Sequence, residues 1–199
     1  MLSSIKDKYL RYRLKKSDND LSKEISLLKQ YISLLDKKNL TYSKLINAYL
    51  YFILANRDIY YLAELYHFEK NVNRKNLYAR LICQTTIELL EDANALLGKN
   101  LQKELGENDL VQFVDDIKGL NKIYSKLKKE YNNQLREIRN NASAHKNKEI
   151  RILLEMYDKV EQINITELTS KISLVHKYFM DVILVKIFNY KSEKEDTNI

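Results

Sequence analysis

Residues 110–145 have the sequence LVQFVDDIKGLNKIYSKLKKEYNNQLREIRNNASAH. Apolar side chains recur along this stretch mainly at intervals of three and four residues, which is the period of one face of an α-helix. The spacing predicts one long helix with a buried face that packs against other helices. Its register is set by Leu110, Phe113, Val114, Ile117, Tyr124, Leu127, Tyr131, Leu135 and Ile138.

The composition extends this prediction to the whole chain. The 199 residues include 0 Pro and 3 Gly, whereas average usage would give about ten prolines and about fourteen glycines. A β-rich fold needs turn residues at short intervals, and they are missing here. We therefore predict an all-α protein, a single up-down helical bundle of about five to seven helices that occupies residues 1–190.

Individual elements follow from the same periodicity. Residues 1–16 are predicted to form a basic N-terminal helical arm, and residues 191–199 a polar, disordered tail. A polar loop is expected at residues 71–76, Gly98 is expected to cap the end of a helix, and Asn164 with Glu167 has the spacing of a capping box. Further helices are predicted over residues 21–38, 40–70, 77–97, 149–160 and 166–190.

Two observations bear on the compartment. The lone Cys83 has no partner within the chain for a disulfide, which fits a reducing environment. The longest uninterrupted apolar run, residues 48–55, is too short to span a bilayer, and no segment has the pattern of a signal peptide. The sequence therefore predicts a cytoplasmic protein that does not associate with membranes.

Positive charge is concentrated in two zones. The net charge is +7, and residues 1–16 carry six basic residues and one acidic residue, while residues 121–151 carry nine basic and three acidic residues. Concentrated positive charge attracts polyanions, so nucleic acid is a natural partner. A coding bias toward A+T-rich codons, with the charges on solvated helix faces, is the alternative explanation.

The basic helical stretch ends in Arg139-Asn140-Asn141-Ala142-Ser143-Ala144-His145. This segment combines a fixed cation, an amide and an imidazole, which are groups suited to work on a phosphodiester. On one ideal helix Arg139 and His145 lie about 9 Å apart along the axis and point about 120° apart. The apolar register places His145 on the packing face with Arg139 at its edge. A two-fold dimer through that face would bring two histidines and two arginines into one cleft.

The segment resembles the signature of the HEPN superfamily, small helical-bundle proteins of prokaryotic toxin–antitoxin, abortive-infection and related defence systems. That signature is an arginine followed, after four to six residues, by a histidine. Here five residues separate Arg139 from His145, and Asn140 stands where the family often has a polar residue. An Arg139-Asn140 pair followed by a closing Ala144-His145 pair resembles the abortive-infection branches of the family in particular. The resemblance implies a metal-independent endoribonuclease that acts as a homodimer, with an RNA substrate and a possible antitoxin or defence-system partner protein.

The chemistry implied by the resemblance assigns a role to each residue. Without a metal to activate water, the available nucleophile is the ribose 2′-OH, so the substrate is RNA. His145 is expected to act as general acid or base near its ordinary pKa of about 6.5. Arg139 is expected to hold and neutralise the phosphate, and Asn140 to orient the phosphate or ribose. No cofactor is expected, and the products are a 2′,3′-cyclic phosphate and a 5′-hydroxyl end.

Four basic residues around the segment are candidate RNA contacts, although solvated surface charge explains them equally well. They are Arg136, Lys146, Lys148 and Arg151.

Acidic residues elsewhere offer no convincing metal site. Glu88, Glu91 and Asp92 cluster on one predicted helix, and Glu64 shares a face with His67, but no further ligand has a suitable spacing. We therefore predict no metal site.

A second functional class stays open beside the ribonuclease. It is a non-catalytic helical protein that binds RNA through the basic zones or regulates a partner. In that case Arg139 and His145 are a surface arginine and a half-buried histidine at a helix terminus.

Overall fold

The computed structural model describes residues 44–142 and 150–190, together with individual residues between Lys8 and Ser33. Over this part of the chain all regular structure is helical and there is no strand, so the predicted all-α bundle is confirmed. A 3-10 turn (Val111–Phe113) precedes the fourth α-helix, and a π-helical segment (Asp181–Phe188) continues the sixth. The α-helices are α1 (Lys44–Phe68), α2 (Val72–Leu96), α3 (Lys99–Glu107), α4 (Val114–Ala142), α5 (Ile150–Glu161) and α6 (Ile165–Met180).

Helix α2 lies at the centre of the bundle. It packs along its length against α1 on one side and α4 on the other. Its apolar residues recur on two faces rather than one, so both neighbours bury side chains against it. Its fully buried side chains are Ile82, Cys83, Thr86, Ile87, Leu90 and Ala93.

A cluster of aromatic rings joins α1, α4 and α6. The Phe52 ring lies 4.5 Å from that of Phe179 and 5.0 Å from that of Tyr124, measured between ring centroids. Tyr49 stacks on Phe179 at 6.4 Å. All four rings are buried, and tilted or stacked contacts at these separations are favourable for aromatic pairs. The cluster fixes how the three helices meet.

The predicted loop at residues 71–76 is wrong. Helix α2 begins at Val72, because the Asn71 side chain caps it by accepting a hydrogen bond from the Arg74 backbone N at 3.1 Å. A side-chain acceptor at this position satisfies one of the free N–H groups of the first turn. Of the polar residues that suggested a loop, Asn73 and Arg74 are exposed in that first turn, whereas Asn76 is buried.

Gly98 is not the C-terminal cap of a helix, as predicted, but the N-cap of the next helix. Leu97 is the C-cap of α2, and Gly98 is the N-cap of α3 with a φ of −80°, outside the left-handed region. A Cβ atom at Gly98 would lie 2.8 Å from the Asn94 carbonyl oxygen. The position favours glycine because the backbone approaches closely, not because φ is positive.

The predicted cap at Asn164 is confirmed in its main bond. Asn164 Oδ1 accepts from the Glu167 backbone N at 3.1 Å, while the Glu167 side chain contacts the Asn164 amide rather than its backbone. The single α-helix predicted over residues 166–190 changes to a different helix type. Helix α6 ends at Met180, and a π-helical segment follows it.

The predicted N-terminal arm is described only at Lys8, Arg11, Tyr12, Lys15 and Lys16, which are helical and exposed. The predicted tail at residues 191–199 lies outside the described residues. No helix in the described ranges has the length and apolarity needed to cross a membrane.

Phe179→Ala tests the aromatic cluster. The substitution leaves a cavity among three helices, so the free energy of unfolding is expected to fall by about 3–5 kcal/mol. Tyr178→Ala removes a neighbouring ring that is partly exposed, and its cost is expected to stay within about 1 kcal/mol. Urea denaturation followed by circular dichroism measures both, and equal losses would contradict the assigned packing.

Candidate functional site

The end of α4 presents two arginines on one side. Leu135 and Ile138 are buried against the core, and this register turns Arg136 and Arg139 toward the edge of the helix. Residues three apart on a helix are neighbours on its surface, so the two guanidinium groups point toward the same partner. That partner lies on α2.

The partner is Glu91, which binds both arginines. Arg136 donates from Nε and Nη2 to Glu91 Oε1 at 2.7 and 2.6 Å, and Arg139 donates from Nη1 to Glu91 Oε2. The side chains of Glu91 and Arg139 are 23% and 27% exposed, and that of Arg136 is 48% exposed. Two cations on one carboxylate leave this cluster with one net positive charge at the bundle surface.

The charge state of Glu91 follows from these contacts. Burial by itself would raise the pKa of Glu91, but the hydrogen bonds and charges of Arg136 and Arg139 outweigh it and lower the pKa below its usual value. Glu91 is therefore ionised at neutral pH, and the cluster is a charge-assisted contact between α2 and α4.

The structure places the predicted site residues as follows. Arg139 and Arg136 meet at Glu91, and Asn140 is exposed in the last turn of the same helix. Arg151 is exposed at the start of α5, where its Nε donates to Glu155 Oε1 at 3.1 Å. His145, Lys146 and Lys148 lie outside the described residues, in the 143–149 connection between α4 and α5.

Helix α5 returns alongside α4 after this connection. The two helices pack together, and Lys159 Nζ on α5 donates to Glu137 Oε1 on α4. Arg80 on α2 lies over the Tyr157 ring of α5, with 5.0 Å between the guanidinium carbon and the ring centroid. Helices α2, α4 and α5 therefore all contact one another on this side of the bundle.

Sequence reasoning missed the role of Glu91, which appeared there only as part of an acidic cluster. The structure separates that cluster, because Asp92 accepts from the Tyr51 hydroxyl at 2.5 Å and Glu88 accepts from Gln84 Nε2 at 3.3 Å. Glu91 lies 45 positions from Arg136, and no local pattern connects residues so far apart. The only signal for this contact in the sequence was an acidic residue on one predicted helix and basic residues on another.

The described histidines are unsuited to the proposed chemistry. His176 on α6 is buried, stacks on Phe179 at 6.2 Å, and has a pKa lowered to about 4 by that burial. His67 is exposed at the end of α1, edge-on to Phe68 at 4.9 Å. Neither histidine contacts the arginine pair, so His145 stays the candidate for the general acid or base.

Within the described residues, no group of three or more His, Cys, Asp or Glu side chains could hold a metal ion.

Burial raises the pKa of the Cys83 thiol to about 12, so that side chain is a neutral core group.

Comparison of the chain with protein-family models, with curated proteins and with solved structures gives no match.

Glu91→Gln tests the contact between α2 and α4. The variant keeps the shape of the side chain but loses its charge, and the free energy of unfolding at neutral pH is expected to fall by about 1 kcal/mol, because Arg136 is half exposed. The pKa of Glu91 is lowered by folding, so this contribution is complete above the ordinary carboxyl value of 4.5 and is lost as the pH falls through the folded-state pKa.

Urea titrations of wild type and Glu91→Gln at neutral and acidic pH measure this difference. Glu88→Gln is the matched control, since its carboxylate lies one turn away and contacts Gln84 instead of an arginine. A wild-type advantage over Glu91→Gln that grows toward acid pH would contradict the assignment.

Proposed function

We propose that this protein is a metal-independent endoribonuclease of the HEPN type that acts as a homodimer in phage defence or as a toxin. The observation that carries the proposal is the pair Arg136 and Arg139 at the end of α4, immediately before the segment that contains His145. Asn140 is exposed beside the pair. A cation, an amide and an imidazole are thus supplied by one helix end and the residues that follow it.

The arginine pair is suited to an RNA phosphate. Guanidinium groups bind carboxylate and phosphate oxygens with the same planar geometry. Arg136 and Arg139 already face an anion, the Glu91 carboxylate. A phosphate that shares or replaces Glu91 would meet two cations, and the cluster would neutralise charge as it builds in the transition state.

The proposed reaction is a transesterification within the RNA. His145 takes the proton from the ribose 2′-OH, and O2′ forms a bond to the adjacent phosphorus. The bond from phosphorus to O5′ breaks, and the leaving oxygen takes up a proton from the imidazolium formed in the first step, which restores the neutral imidazole. Arg139 holds the phosphate and Asn140 orients it. The products are a 2′,3′-cyclic phosphate and a 5′-hydroxyl end, and no metal takes part.

Exposed apolar residues on α2 and α5 support a dimer. Leu154 on α5 is 60% exposed, and Leu77, Leu81 and Tyr157 are also exposed around the contact between Arg80 and Tyr157. A cluster of exposed apolar side chains on a helical bundle is typical of an interface. In a two-fold arrangement through this face, each protomer would supply one arginine pair to a shared cleft.

One observation favours the second candidate, a non-catalytic helical protein that binds RNA or regulates a partner. Glu91 contacts both arginines at once, which is what a structural ion pair between α2 and α4 requires. In this case the arginines stabilise the bundle, and the basic helix faces bind RNA without cleaving it.

Cleavage of labelled single-stranded RNA and transfer RNA in EDTA separates the two candidates. Wild type is expected to cleave and to leave cyclic phosphate ends. Arg139→Ala and His145→Ala are expected to lower the rate by about a hundredfold or more, because each removes a group that acts in the transition state.

Arg74→Ala and His67→Ala are the matched controls, because both side chains lie away from the arginine pair and are exposed. Both are expected to cleave like wild type. Intact RNA binding without cleavage by wild type would favour the non-catalytic candidate, and cleavage that survives in His145→Ala would contradict the mechanism.

The dimer has its own measurement. Sedimentation equilibrium of the full chain is expected to give twice the mass of 23.7 kDa. Leu154→Glu places a charge on the exposed apolar surface of α5 and is expected to shift the equilibrium toward monomer by about tenfold or more. A wild-type protein that cleaves RNA as a monomer would contradict the two-fold cleft.

A further inference from the structure

A cavity of about 490 Å³ lies between α1 and α6, outside the arginine site. The two helices meet at the rings of Phe52 and Phe179. The cavity lies farther along both, beside residues 56–67 of α1 and 165–174 of α6. Its volume is in the range of sites that hold small organic molecules, roughly 300–1,000 Å³. Its apolar walls include Ile59, Ala63, Ile165 and Leu174.

A buried amide faces this cavity. Asn56 lines it and is only 8% exposed. A primary amide both donates and accepts hydrogen bonds, so it is a polar group among the apolar walls that a ligand in the cavity can use.

Two of the four hydroxyl groups among the described lining residues of α6, those of Thr169 and Ser170, present acceptors rather than donors. Thr169 Oγ1 donates its hydrogen to the Ile165 carbonyl at 2.9 Å, and Ser170 Oγ donates to the Thr166 carbonyl at 2.7 Å. Each hydroxyl has one hydrogen, so the remaining lone pairs are what these oxygens offer to a ligand. The ligand that suits them is a hydrogen-bond donor.

The charge of the lining also favours a ligand that donates hydrogen bonds. Glu64 is the acidic residue of the lining, and no lysine or arginine is found among the described lining residues. The whole protein has a net charge of +7, so its long-range field repels cations. A cation that binds here is therefore held by the cavity itself, and the Glu64 carboxylate disfavours an anion such as a phosphate.

Aromatic rings complete the lining. Tyr60 and Tyr66 contribute to the wall, and the face of a tyrosine ring attracts an ammonium group. Lys75 Nζ already lies 4.8 Å from the centroid of the Tyr66 ring, which shows that this ring accommodates a cation. Apolar walls, acceptor oxygens, a carboxylate and aromatic faces together match an alkyl chain that ends in an ammonium group.

We propose that the cavity between α1 and α6 is a binding site for an aliphatic amine. The ammonium group binds the Glu64 carboxylate, and the alkyl chain lies against the apolar wall. This site is independent of the arginine pair and of the proposed ribonuclease activity.

Isothermal titration of the full chain with n-hexylamine, and with n-hexanol as an uncharged analogue of equal length, tests the proposal in the absence of RNA. Wild type is expected to bind the amine with one saturable site, about tenfold or more tighter than the alcohol. Glu64→Gln is expected to abolish this preference while leaving circular dichroism unchanged.

Glu107→Gln is the matched control, because it removes the same charge from an exposed position on α3 that is not part of the cavity lining. It is expected to bind n-hexylamine like wild type. Absence of saturable binding, equal affinity for the amine and the alcohol, or unchanged amine binding by Glu64→Gln would each overturn the proposal.

Discussion

Helix α2 is packed from two sides at once, and the rest of the bundle is arranged around it. Its buried residues face both α1 and α4, so each neighbour is positioned by the same central element. A helix with one buried face tolerates a shift of its partner, whereas a helix buried on two faces transmits the shift to the opposite side. The relative position of α1 and α4 is therefore determined by α2 together with the direct contact between Phe52 and Tyr124.

The same helix also connects the fold to the candidate site. Glu91 emerges from α2 near its C-terminal end and binds Arg136 and Arg139 of α4. The contact joins the two helices and at the same time fixes the directions of the guanidinium groups before any RNA is present. Preorganised cations of this kind neutralise developing charge without reorganising. A single carboxylate thus serves the stability of the bundle and the geometry of the proposed site.

The two proposed sites differ in charge as well as in place. The end of α4 carries a cluster with net positive charge, which suits a polyanion. The cavity between α1 and α6 offers Glu64, the Asn56 amide and hydroxyl oxygens, which suit a cation. The helices that form the cavity meet α4 at the aromatic cluster of Phe52, Phe179 and Tyr124. The bundle therefore carries two sites of opposite charge on different helix pairs.

The sequence by itself determined the helical class, the register of α4 and the cap at Asn164, because each depends on residues within a few positions of one another. It misplaced the start of α2, where the capping bond of Asn71 outweighs the polar composition of residues 72–76, and it misjudged Gly98, where a close backbone approach is the constraint. Only the tertiary structure decided that Glu91 binds Arg136 and Arg139, and that Asn56 faces a cavity. These contacts join residues on different helices, and their geometry depends on how whole helices pack rather than on any local pattern.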